Sequence, residues 1–86
     1  MDYSIEITET AQKEIRKKLE PHLIDRLDKR MKKLEEDPKS YGKPLRGNLS
    51  STWEIYFEKR YRILYQIFEE ERIVVITGVK HKDEMS

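Results

Sequence analysis

WEIYFEKRYRILYQIFEEERIVVITGV, residues 53–79, divides into three strand-forming runs separated by two charged connections. In the first run Trp53, Ile55 and Phe57 alternate with Glu54, Tyr56 and Glu58, the two-residue period of a half-buried strand. Lys59 and Arg60 make a tight connection into the second run, which sets Tyr61, Ile63, Tyr65 and Ile67 on one face. The acidic EEER at 69–72 is the next turn. IVVITGV at 73–79 is apolar without alternation, the mark of a strand placed centrally in its sheet. The tail KHKDEMS then leaves that strand with polar residues only.

Upstream, Tyr3, Ile5 and Ile7 alternate with polar residues and predict a first strand, after which Thr8 is placed to cap a helix. Ala11, Ile15 and Leu19 recur every four residues and form the buried stripe of that helix, whose other sides carry Lys13, Glu14, Arg16, Lys17 and Lys18. Pro21 interrupts it but suits the first turn of a second helix, marked by Leu23, Leu27, Met31 and Leu34. This second helix ends before Pro38, because proline disfavours helical geometry in the residue ahead of it. PKSYGKPLRGNLSS, 38–51, is a loop long enough to suggest a functional role. The predicted order is β-α-α-β-β-β, an α+β fold with a helical hairpin packed on an antiparallel sheet, in one domain over residues 1–86.

A chain of 86 residues has no room for a second core, so any site on it is expected to be a surface groove, suited to a large substrate. Without cysteine it has neither disulfides nor thiol chemistry. The N-terminus lacks a basic and apolar leader and the longest apolar run, IVVI at 73–76, is too short to span a bilayer, so a soluble, cytoplasmic protein with no membrane partner is expected. Formal net charge is only +1, yet residues 12–33 hold nine Lys/Arg against four Asp/Glu, and residues 39–62 hold six against two. The acids gather at 35–37, at 69–71 and in the tail. A basic face is predicted, and phosphate is its complement. Neither His22 nor His81 belongs to a spaced ligand pair and the glycines form no phosphate loop, so no metal and no cofactor is implied.

Arg62 stands out because it puts a permanent cation between Tyr61 and Ile63. A guanidinium there can meet two phosphate oxygens with paired donors. Alternatively it pairs with Glu54 or Glu58 across the hairpin, a surface contact of about 0.2–1 kcal/mol.

The architecture, together with KPLRGNL at 43–49, the W-x-I strand at 53–55, YRILYQI at 61–67 and V-x-H-K-D at 79–83, resembles the RelE–ParE superfamily of toxins from toxin–antitoxin modules over nearly the whole chain. The resemblance is greatest to the RelE-, YoeB- and YafQ-like branches, which cut messenger RNA on the ribosome with a concave basic sheet surface. It implies a cognate antitoxin, a hetero-oligomeric complex with it, and the ribosome and mRNA as partners. Carried over by position, the sheet arginine falls on Arg62, the histidine near the C-terminus on His81, a basic residue near it on Lys82, and a basic loop residue on Arg46. Two lysines of RelE are replaced by Glu54 and Tyr56, the YoeB-like glutamate falls on Lys43 or Pro44, and the terminal tyrosine of those branches is absent.

Cleavage of RNA by its own 2′-hydroxyl needs a proton acceptor, a proton donor for the leaving 5′ oxygen, and charge stabilisation at phosphorus. Arg62 suits the last, with Lys82 beside it, and His81 suits the donor. The 2′ proton is left to Glu54, Tyr56 or a ribosomal or solvent group, and Tyr56 can equally stack on a base. Lys43, Arg46, Lys59, Arg60 and Lys80 are read as phosphate holders. The departures also fit a ParE-like toxin that poisons DNA gyrase without cutting nucleic acid, or a degenerate member that only binds its antitoxin.

Overall fold

The structure, a computed structural model, describes residues 3–45 and 51–85, with Glu84 and Met85 traced by their backbone. Strand β1 (Ser4–Ile7) leads into helix α1 (Glu9–Lys18), and the predicted cap is present: Thr8 Oγ1 accepts the Ala11 N–H at 3.1 Å. Leu19 closes α1, and Pro21 opens helix α2 (Pro21–Glu36) from the N1 position, where its missing N–H costs nothing. Asp37 ends α2 before a buried Pro38 and folds back on Ser40, its Oδ2 accepting the hydroxyl at 2.6 Å.

Strands β2 (Lys43–Pro44), β3 (Trp53–Phe57), β4 (Tyr61–Phe68) and β5 (Ile73–His81) complete a five-stranded sheet in the order β1-β5-β4-β3-β2, and Lys82–Met85 form a 3₁₀ turn. The α+β reading holds, and the apolar β5 lies between β1 and β4 as its composition predicts. Three details differ from the sequence reading. β1 pairs with β5 in parallel, because the helical hairpin carries the chain across before the sheet resumes. Lys43 and Pro44 form a short edge strand against Glu54 and Trp53 where a loop was expected. Strand β5 runs through Lys80 and His81, which pair with Arg62 and Tyr61.

The helix-side face of the sheet carries Ile55, Phe57, Ile63, Tyr65, Val74, Ile76 and Val79, packed on Ala11, Ile15, Leu19, Leu27, Met31 and Leu34. Each of the larger aliphatic and phenyl side chains among them contributes about 1.5–3 kcal/mol by leaving water. Between the Ile63–Val79 and Tyr65–Ile76 pairs, Leu64 alone faces both Thr77 and Gly78, so β5 holds a bulge. The extra residue reverses the alternation: Val74 and Ile76 point inward before it, Val79 after it. Beyond Ile76, no strand among the described residues pairs with the outer side of β5, and α1 covers that edge. Glu14 Oε1 accepts the Val79 N–H at 2.8 Å and Lys18 Nζ donates to the Val79 carbonyl at 3.0 Å, taking the place of a neighbouring strand.

Candidate functional site

The hairpin β3–β4 pairs Tyr56 with Arg62, and Arg62 with Lys80 of β5, so these three share the open face of the sheet, away from the helices. One register step along, Glu54 lies opposite both Leu64 and Lys43. Arg62 packs its guanidinium over the Tyr56 ring, 5.2 Å from the centroid, and Lys43 Nζ lies 5.6 Å from the same centroid. Two cations over one ring hold it by attraction to its electron-rich faces. Arg62 Nη1 also donates to Glu54 Oε1 at 3.2 Å, the cross-hairpin pairing that the sequence left open against a phosphate role. Glu58, the other partner considered, is taken by Arg26 of α2 at 2.8 Å.

A hollow of about 670 Å³ opens beside this row, lined by Arg30, Tyr56, Glu58, Lys59, Tyr61, Arg62 and Lys82. Four of its walls are basic, and its one carboxylate, Glu58, is already paired. On the far side of Tyr56, a hollow of about 180 Å³ includes Lys43, Glu54 and Tyr41, so Tyr56 stands as a ridge between two depressions on one groove. The turn that closes the groove is backed by Glu58 and Lys59 in left-handed geometry, with φ of 54° and 65°. Left-handed geometry costs a non-glycine residue about 1–2 kcal/mol, and it aims Lys59 into the hollow.

Of the residues singled out in the sequence, Arg62, Tyr56, Glu54, Lys43, Lys59 and Lys82 come together on this groove. Arg60 is exposed in the turn, and its carbonyl accepts the Lys82 N–H at 2.7 Å, which fixes the end of β5 to the hairpin. Lys80 shares the Arg62 row, but its ammonium is bound to Glu14 Oε2 at 2.7 Å. Arg46 lies outside the described residues. His81 is not brought to Arg62: it continues the Phe57–Tyr61 row on the helix-side face, its ring edge-on to Tyr61 at 5.3 Å. Its Nδ1 accepts the Asp83 N–H at 3.3 Å, with the Asp83 carboxylate 3.4 Å away.

Arg30 is a groove residue that sequence reasoning missed, since nothing in the spacing of α2 separates it from the other basic residues of that helix. Glu14 was missed too. Burial works against its charge, but the hydrogen bonds from Lys80 and the Val79 N–H, with Lys18 nearby, outweigh that and hold its carboxyl below the usual range. Tyr65 anchors the segment that carries Lys43: its phenol, pushed up by burial, donates to the Pro38 carbonyl at 2.7 Å. Among the described residues no helix is long and apolar enough to cross a membrane.

Residues 5–85 match the family described as the ParE toxin of type II toxin–antitoxin systems. Toxin RelG of Mycobacterium tuberculosis is 34% identical over 83 residues, covering 95% of this chain and 93% of the relative. The toxin–antitoxin complex RelBE2 of M. tuberculosis contains a chain with 33% identity and a TM-score of 0.85, matched over 94% of this chain and 99% of that one. The isolated RelE toxin of E. coli has 30% identity and a TM-score of 0.75, over 92% and 83% of the two chains. With cations gathered in a groove at the β3–β4 hairpin of a RelE-type sheet and family likeness along almost its full length, this chain belongs to the RelE–ParE family of toxins of type II toxin–antitoxin modules.

Proposed function

We propose that the chain is a ribosome-dependent mRNA endonuclease, cutting without metal by attack of the RNA 2′-hydroxyl on the adjacent phosphorus. The observation that carries this reading is the Arg62 guanidinium, laid on Tyr56 at the floor of a groove walled by Arg30, Lys59 and Lys82. Such a plane presents paired donors to the two non-bridging oxygens of a phosphodiester, where charge builds in the transition state. In the reaction the O2′–P bond forms and the P–O5′ bond breaks, leaving a cyclic phosphate and a 5′-hydroxyl. The 2′ proton passes to Tyr56 or Glu54, both within reach of Arg62, or to a group of the ribosome. Lys82, which lines the hollow, is placed better than His81 to protonate the leaving oxygen. The relatives include a toxin crystallised in a toxin–antitoxin complex, and we read this chain as one held by a cognate antitoxin whose acidic segment covers the groove.

The position of His81 on the helix-side face favours a second reading, in which the toxin binds DNA gyrase and cuts nothing. Translation of a defined message in vitro, with 5′ ends mapped by primer extension, separates the two. Ribosome-dependent cuts that Arg62→Ala removes are the expected result. An intact message at full translation overturns the nuclease reading and directs the test to gyrase.

A further inference from the structure

The Arg62 guanidinium is occupied, but only in part. Nη1 holds one oxygen of Glu54 at 3.2 Å, while Nε is buried and has no hydrogen-bond partner among the described residues. A buried donor left unsatisfied costs free energy and calls for an explanation. The Glu54 side chain is itself only 11% exposed, in a hollow it shares with Lys43, Tyr41 and Tyr56. It stands where one oxygen of a phosphodiester would approach Nη1 of Arg62. Tyr56 lies against the guanidinium and limits its rotation.

We infer that Glu54 is a built-in competitor for the anion seat of Arg62: its carboxylate occupies the guanidinium in the free protein and is displaced by a phosphodiester of single-stranded RNA, so that Glu54 sets the affinity of the groove. This rests on the RNA reading above. The incoming phosphate exchanges a single-donor contact at Nη1 for a paired one across Nη1 and Nη2. Glu54 thereby makes Arg62 selective, because an anion that offers one oxygen gains little over the carboxylate already there, whereas one offering two gains a second donor at Nη2.

The test is a double-mutant cycle on RNA binding, read by fluorescence anisotropy with a labelled 2′-O-methyl oligouridylate of about ten nucleotides, which cannot be cleaved at its 2′ position. Glu54→Gln keeps the shape of the side chain and removes its charge; it is expected to tighten binding roughly five- to tenfold in the native background and by less than about twofold beside Arg62→Ala. Glu54→Ser serves as a second variant, and thermal melts establish that each protein is folded. Equal tightening in both backgrounds would reveal a general charge effect and overturn the inference, as would unchanged or weaker binding by Glu54→Gln. A gain in affinity for polyglutamate but not for RNA would overturn it as well. The parent reading is judged separately: a protein that shows the Glu54 effect yet leaves ribosome-bound message intact fails as a nuclease and keeps the competitor, whereas Arg62-dependent cleavage with no Glu54 effect does the reverse.

Discussion

A lysine at position 62 would keep the charge of the groove and lose its flat donor face. The ammonium is a compact point charge with no plane to lie on the Tyr56 ring and no paired donors for two phosphate oxygens. Arg62→Lys is therefore expected to lower the rate of message cleavage by about a hundredfold, the size of losing one donor to a transition-state oxyanion, while changing RNA affinity far less. Single-turnover cleavage set against anisotropy measures both, and equal losses in the two would mean that Arg62 only holds the backbone. Gly42 is constrained from the other side of the groove. A Cβ there would run into the Tyr65 hydroxyl and lie 2.8 Å from the Glu54 carbonyl oxygen, and neither can yield, since Tyr65 is buried and bound to Pro38. Gly42→Ala is expected to cost about 1–3 kcal/mol, read as a lowered urea midpoint, and to displace Lys43 from Tyr56. Arg62 could be singled out from the sequence as a cation inside a strand. Its ion pair with Glu54 could be named only as an alternative, because the choice depends on side-chain reach across the hairpin rather than on spacing.

Caps, prolines and alternation made the elements legible: Thr8, Pro21 and Pro38 mark the helix ends, and the stripes of β3 and β4 fall on the faces their period predicts. Strand β5 shows where periodicity stops helping. Counted without a break from Val74 and Ile76, Lys80 would point into the core and His81 would stand beside Arg62; the bulge at Thr77 and Gly78 reverses both. A bulge is set by how two strands fit each other, and an apolar run such as IVVITGV carries little trace of it. The parallel β1–β5 pair was hidden for a similar reason, since it joins strands from opposite ends of the chain. Glu14 and Lys18 close the edge of β5 that this pairing leaves uncovered. The Glu14 carboxyl sits below its ordinary value of about 4.5, so its contribution is present in full above the unfolded pKa and is lost as pH falls through the folded one. Glu14→Gln should lower stability by about 1–3 kcal/mol at neutral pH, and the gap to the native protein should narrow on acidification below about pH 4.5. Urea titrations at pH 7 and pH 3 measure it, and a gap independent of pH would assign Glu14 a packing role instead.

The described residues form a slab of 33 × 29 × 22 Å with a radius of gyration of 12.1 Å, about the value expected of a compact chain this size. One sheet and one helical layer fill that thickness, so a site on it is a surface groove, and the larger hollow opens at the β3–β4 hairpin between the open sheet face and Arg30 of α2. A net charge of +1 gives such a molecule no general pull on nucleic acid, and whatever attraction it has must come from the placement of charge. Glu14 holds Lys80, Glu58 holds Arg26 and Glu69 holds Lys39, the last at 2.8 Å, so much of the basic surplus is neutralised within the fold. Arg30, Lys43, Lys59, Arg62 and Lys82 are gathered on the groove. For single-stranded RNA each phosphate neutralised contributes about 0.7 to the salt slope, so five cations predict a fall in log Kobs of about 3.5 per decade of salt. Lys59→Ala and Lys82→Ala should each flatten that slope by about 0.7, whereas Lys39→Ala, on a lysine bound to Glu69, should leave it unchanged. Anisotropy titrations over a range of salt concentrations supply the slopes. A slope that responded equally to all three lysines would mean that RNA is drawn by diffuse surface charge, and the groove would lose its claim to be the binding site.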